Sequence, residues 1–263
     1  MKFIFLILFS FSFIVYPNSE NYFLEYKDVN DSMQDFSSLK WQAAGLVTIG
    51  LITYTNDKKI QDFISNGKDS KFLSDLSKVV IHLGDEKVYY TAGALALGGY
   101  VFKNQKLFDT GLLSLSALLL SGTVVTFSKS LIGRSRPRRN MGTYEFDPFF
   151  KHFDDNDRKS MFSGDSSNAW ALATVISTMN NDKPLIGITL YTLATLVSLN
   201  RVFVDAHWPT DVLLGSAVGY YSGKLVTSIF LKNLKKNKRF FFMPIISKSK
   251  KDKKLGLNLS YSF

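Results

Sequence analysis

The chain contains no cysteine. A disulfide framework, a thiol nucleophile and a Cys–zinc site are therefore excluded. Histidine is scarce too: His82, His152 and His207 are the full set among 263 residues, too few for a His-rich metal site. Most of the chain also lacks net charge. The formal total is +10, but residues 232–254 alone hold ten Lys/Arg against one Asp. A surface that binds polyanions all round, and with it a nucleic-acid partner, is excluded on that distribution. Long uncharged runs are also few. Most apolar blocks have 14 to 17 uncharged residues, short of the roughly 20 of a full membrane span.

What is present begins with a targeting pattern. Lys2 precedes the 14-residue apolar run Phe3–Tyr16, and Pro17, Asn18 and Ser19 close it. The pattern predicts a signal peptide over 1–19 and a polar, acidic leader over 20–40, with a buried N-terminal helix as the alternative. Apolar blocks follow at Trp41–Thr55, Val88–Phe102, Gly111–Phe127, Ser166–Met179, Pro184–Leu199 and Val212–Leu231. Most exceed strand length, so they read as helices. The expected domain is all-α, a six-helix bundle over 41–231. Six spans would return the chain to its starting side. The acidic leader and the basic segment could then not face opposite sides of a membrane, unless the whole domain lies in the periplasm. In the tail, Leu255, Leu257, Leu259, Tyr261 and Phe263 alternate with Gly, Asn and Ser. That period of two predicts a small C-terminal β-hairpin within 232–263. Its Lys-rich turn could dock on anionic headgroups or simply keep the turn soluble.

Three stretches carry chemistry. In the first, Lys129 and Arg136 stand seven apart before Pro137. On one helix both would point the same way, and Pro137 would help end it. In the second, Phe162-Ser163-Gly164-Asp165 opens an apolar block. Ser163 suits an N-cap, Gly164 allows close backbone approach, and a helix N-terminus favours an anion. In the third, Arg201 precedes His207-Trp208-Pro209-Thr210-Asp211. Pro209 suits a first helical turn. Asp211, four residues past His207, is spaced to orient the imidazole and leave the other ring nitrogen free. Taken singly, each stretch has an ordinary reading: a basic helix edge, a common cap, a structural histidine.

In this order, Lys-x6-Arg-Pro, Ser-Gly and Arg-x5-His-x3-Asp together resemble the type 2 phosphatidic acid phosphatase family over residues 41–230. Vanadium haloperoxidases and bacterial class A acid phosphatases share that site. The resemblance implies phosphate-ester hydrolysis through a phosphohistidine at His207, with Asp211 holding its tautomer. It implies that Lys129, Arg136, Arg201 and the Ser163–Gly164 donors clamp the phosphoryl oxygens, and that no metal or cofactor is required. The expected substrate is a phosphate monoester or diphosphate, lipid-linked, and the expected setting is a membrane surface of the cell envelope with the site outside the cytoplasm.

Two positions depart from the pattern. The family has Ser-Gly-His, where the histidine protonates the leaving oxygen; this chain has Asp165 there, and Asn200 replaces a Ser. Asp165 could be the acid, the leaving group could need none, or the protein could bind phosphorylated lipid without turnover. His152 and His82 read as solvated loop residues. A haloperoxidase and a non-enzymatic envelope protein are further alternatives.

Overall fold

The computed structural model describes residues 39–149 and 155–235, and the backbone of 239–248 and 253–262. The expected signal peptide, most of the leader, and His152 lie outside the described residues.

Among the described residues there are eight α-helices: α1 (Leu39–Thr55), α2 (Asp57–Ser65), α3 (Lys71–Val80), α4 (Lys87–Val101), α5 (Gln105–Ile132), α6 (Gly164–Met179), α7 (Pro184–Phe203) and α8 (Pro209–Lys235). The six apolar blocks are α1 and α4–α8. The two additional helices, α2 and α3, are short and amphipathic, so a search for long apolar runs passes over them. Local chemistry sets the boundaries. Asn104 caps α5 by accepting from the Leu107 N–H at 2.9 Å, and Ser163 caps α6. Pro184 and Pro209 each open a helix, where a missing N–H removes nothing.

α6 is the central helix, in contact with α5, α7 and α8, and α4 lies along α5. One core cluster joins Val88 and Ala92, Leu113, Ala117 and Leu118, Ala171, Val175 and Met179, and Leu231. A second joins Val80 to Ala169, Ala173, Ala194 and Val197. Small residues dominate because the helices touch backbone to backbone. On α8, Gly215, Gly219 and Gly223 form a stripe against α6. A Cβ at 215 would lie 2.4 Å from the Ser163 carbonyl oxygen, and one at 219 would lie 2.1 Å from that of Ser167. That contact brings the start of α8 beside the start of α6, where the Ser163 N–H donates to the Asp211 carbonyl at 2.9 Å.

α5 and α7 are long and apolar enough to cross a membrane. α1 exposes Trp41, Val47, Leu51 and Ile52. Arg239–Lys248 and Lys253–Ser262 run antiparallel, with Arg239 opposite Ser262.

Gly219→Val is expected to force α6 and α8 apart and lower stability by about 1–3 kcal/mol, the usual cost of overpacking. The measurement is denaturant unfolding in micelles. Unchanged stability would mean that the two helices are not in backbone contact.

Candidate active site

The C-terminal ends of α5 and α7 and the N-terminal ends of α6 and α8 meet at one end of the bundle. α5 carries Lys129 in its last turn and stops at Ile132. Gly133 ends it with φ +60, and a Cβ there would lie 1.8 Å from the Asp147 carbonyl oxygen. Only glycine fits such a turn. Arg136, extended at φ −73 and ψ 151, precedes a short 3-10 turn over Pro137–Arg139. Lys129 and Arg136 therefore do not share a helix, as their spacing suggested. The Gly133 turn intervenes, and Pro137 plays no part in ending α5. The two cations converge across the turn. Arg136 Nε donates to the Asn156 carbonyl at 2.9 Å and Nη1 to that of Ala206 at 3.1 Å, which fixes the plane of the guanidinium.

Ser163, fully buried, accepts from the Ser166 N–H at 3.5 Å. The first amides of α6 have no intrahelical partner. Beside them, Lys129 Nζ lies 3.5 Å from where a Gly164 Cβ would stand. Arg201, in the last turn of α7, has Nε 3.0 Å from Asp165 Oδ2, close enough for an ion pair but without hydrogen-bond alignment. Around His207 stand Lys129, Arg136 and Arg201, all three acting on its titration. Asp211 and Asp157 also act on these cations, but Asp211 pairs with Arg134 and Asp157 with Arg138, so among the described residues three cations are set mainly against Asp165. That imbalance favours a bound anion.

His207 itself is 2% exposed. Its Nδ1 lies 2.6 Å from the Ser160 carbonyl oxygen. A carbonyl cannot donate, so Nδ1 carries the proton and Nε2 presents a lone pair. Burial, then the charges of Arg136, Lys129 and Arg201, push the imidazole well below its ordinary pKa, against the pull of the Ser160 carbonyl. The ring is neutral at neutral pH.

Asp211 is not the partner of His207. One oxygen accepts from Arg134 Nη1 at 2.7 Å; the other accepts from the Ser160 hydroxyl at 2.5 Å and the Trp208 N–H at 3.1 Å. The four-residue spacing misleads because His207 precedes α8, so helical neighbour geometry does not apply to the pair. Asp211 acts one step back, holding the residue whose carbonyl holds the ring.

Three residues of this arrangement carry no local signal in the sequence: Ser160, Arg134 and Asp57. Arg134 has no accessible surface and pairs with Asp211 and, through Nη2 at 2.6 Å, with Asp57. Its Nε and Nη2 also donate to the Thr143 carbonyl, and Tyr54, Phe146 and Trp208 surround it, ring centroids 5.4–5.6 Å away. Burial opposes its charge, but Asp211 and Asp57 outweigh burial and hold the pKa above the usual arginine value. His82 is exposed, between Asp85 and Lys87.

A PAP2 superfamily profile matches residues 110–235, a segment that contains Lys129, Arg136, Ser163, Gly164, Arg201, His207 and Asp211. That segment, just under half of the chain, makes the chain similar to the PAP2 superfamily. Two relatives are lipid A 1-phosphatases. That of Rhizobium etli is 25% identical over 214 residues, covering 74% of this chain and 87% of its own. That of Porphyromonas gingivalis is 26% identical over 185 residues, covering 68% of this chain but 36% of its own, so this chain spans about a third of that protein. The crystal structure of a transmembrane PAP2 type phosphatidylglycerolphosphate phosphatase from Bacillus subtilis aligns with a TM-score of 0.50 at 22% identity, over 72% of this chain and 96% of that one. It shares the helical PAP2 fold. Asp57 lies outside the matched PAP2 segment.

The depressed pKa of His207 has a stability consequence. Below about pH 6.5 the unfolded imidazole takes up a proton while the folded one stays neutral. Stability contributed by this group is thus complete above about 6.5 and falls as pH drops toward the folded value. Unfolding midpoints measured from pH 7.5 to 5 are expected to decline less steeply for His207→Gln than for the native chain. Equal slopes would mean that His207 is not held neutral.

Proposed function

We propose that this protein is a PAP2-type phosphatase of a phosphorylated lipid, working through a phosphohistidine at His207 on the extracytoplasmic face of the envelope. The observation that carries the proposal is the buried neutral imidazole, with Nδ1–H fixed on Ser160 and Nε2 bare, in the field of three cations. Nε2 attacks phosphorus, the P–N bond forms, and the bond to the leaving oxygen breaks with its electron pair going to that oxygen. Water then attacks phosphorus and restores the imidazole. Lys129, Arg136 and Arg201 neutralise charge on the equatorial oxygens, with the α6 amides as further donors. In this reading the side chains supply that neutralisation, without a metal or cofactor.

Asp165 faces Arg201. We assign it to orienting that guanidinium rather than to protonating the leaving group, which favours substrates whose leaving oxygen needs little acid help, such as diphosphates. A lipid substrate is supported by an apolar groove of about 440 Å³ lined by Phe162, the residue before Ser163, with Leu46, Leu120, Val124, Leu214, Val218 and Leu225. The names of the relatives put lipid A phosphates first among candidates. The second reading, binding without turnover, draws on the same Asp165 in place of the histidine general acid.

Purified protein in detergent, assayed for phosphate release from lipid A, phosphatidic acid, phosphatidylglycerol phosphate and a polyprenyl diphosphate, decides between the two. Release that falls to background in His207→Ala is expected. Binding of these lipids with no release from any of them would leave the binding protein. Asp165→His is expected to lower turnover about tenfold, the scale of one lost charged contact; an increase would mean that a general acid was missing. Val218→Trp, which narrows the groove, is expected to raise KM for long-chain lipids about tenfold, equivalent to about two buried methylenes. Turnover of a small soluble phosphate monoester would be unaffected. A KM raised for neither or for both would remove the groove from substrate binding.

A further inference from the structure

α2 is amphipathic in an unusual sense. It buries Asp57 and Gln61 and leaves Phe63 80% exposed. A helix that served the core would do the reverse, because burying a carboxylate is costly unless it is paired and hydrogen-bonded. Asp57 meets that condition completely. Its Oδ1 accepts from the Thr210 N–H and the Thr210 hydroxyl, both at 2.8 Å, and its Oδ2 accepts from Arg134.

The other end of α2 reaches the other side of the same loop. Asp205 holds a left-handed backbone, φ +53. Its carboxylate accepts from Gln61 Nε2 and from the Ser65 hydroxyl at 3.1 Å, and it pairs with Lys68 in the 3-10 turn that follows α2. Asp205 and Thr210 flank His207. One short helix and its extension therefore fasten both ends of the segment that carries the ring. Between those ends, Arg136 holds the Ala206 carbonyl and Trp208 Nε1 donates to the Ser135 carbonyl at 2.9 Å.

We propose that α2 is the brace of the nucleophile loop and that Asp57 is a positioning residue for the reaction. It acts along two routes. Through Thr210 it fixes the start of α8 just past His207. Through Arg134 it fixes Asp211, which holds Ser160, whose carbonyl sets the tautomer and direction of the ring. Asp57 itself does not touch the phosphoryl group. Its loss should spoil the aim of Nε2 while leaving the cation clamp intact. The proposal rests on His207 being the nucleophile.

The test is Asp57→Asn in the full chain in detergent. Asparagine keeps the size and an acceptor for Thr210, but removes the charge facing Arg134. The expected result is a fall in kcat of about 10- to 100-fold, the scale of a slightly misplaced reacting group, with KM within about twofold of the native value. Two inhibitors separate positioning from collapse. Inorganic phosphate needs only the clamp, whereas vanadate takes the imidazole nitrogen as a fifth ligand. The phosphate inhibition constant should hold, and the vanadate constant should rise roughly as kcat falls. If Asp57→Asn does not fold, Lys68→Ala, at the exposed end of the brace, is expected to give the same pattern at a few-fold scale. An unchanged kcat, or parallel loss of phosphate and vanadate binding, would overturn the brace. Native-like turnover in His207→Ala would overturn the nucleophile reading instead, whatever Asp57 does.

Discussion

A guanidinium with no accessible surface must find an acceptor for each of its N–H groups and a counter-charge for itself. Arg134 finds Asp57 on one side, Asp211 on the other and the Thr143 carbonyl at its edge. Removing one partner of such a buried pair typically costs about 3–5 kcal/mol, because the remaining charge is stranded. The three side chains come from α2, the turn after α5, and α8. Their pairing is possible only when those elements stand at fixed positions. The site is assembled around that requirement: Asp211 is held by Arg134, Ser160 by Asp211, and His207 by Ser160.

The helical packing supplies the frame for this arrangement. The glycine stripe on α8 lets it approach α6 until Gly215 meets Ser163. The N-termini of α6 and α8 then lie side by side, with the Lys129 ammonium close to Gly164. Lys129 arrives from α5, Arg201 from α7, and Arg136 from the turn that Gly133 creates. Each cation comes from a different segment, so the charge density at the pocket is a product of packing rather than of any local run of basic residues. That density, with burial, keeps His207 neutral. One set of groups thus both gathers positive charge and opposes protonation of the ring.

Burial around the site has an apolar, exposed counterpart on the outside of the bundle. Trp41, Val47, Leu51 and Ile52 on α1 and Leu185 and Ile188 on α7 are exposed, and an apolar groove includes Phe162, the residue before Ser163. Apolar exterior and polar end are the two halves a phosphorylated lipid presents. The exposed Phe63 of α2 lies on the helix whose buried face holds the loop that carries His207.

Much of this was legible in the chain itself. The six apolar blocks marked six helices, because burial of a helix face needs runs of that length. Ser163 and Pro209 marked helix starts, because capping and proline chemistry are local. Lys129, Arg136, Arg201 and His207 stood out as residue types that phosphate chemistry uses, in a fixed order. Other features depended on distance along the chain. Asp57 and Arg134 are 77 positions apart, and Asp57 and Thr210 are 153 apart; no periodicity or spacing rule relates them. The partner of His207 is a backbone carbonyl, which every residue possesses, so no residue type could announce Ser160. Asp211 was visible as a carboxylate near the histidine, but its true neighbour was decided by Arg134, which arrives from elsewhere in the fold. Sequence determined which chemical groups were available and where helices begin. Tertiary structure decided which groups meet, because hydrogen bonds and ion pairs act over a few ångströms of space regardless of separation along the chain.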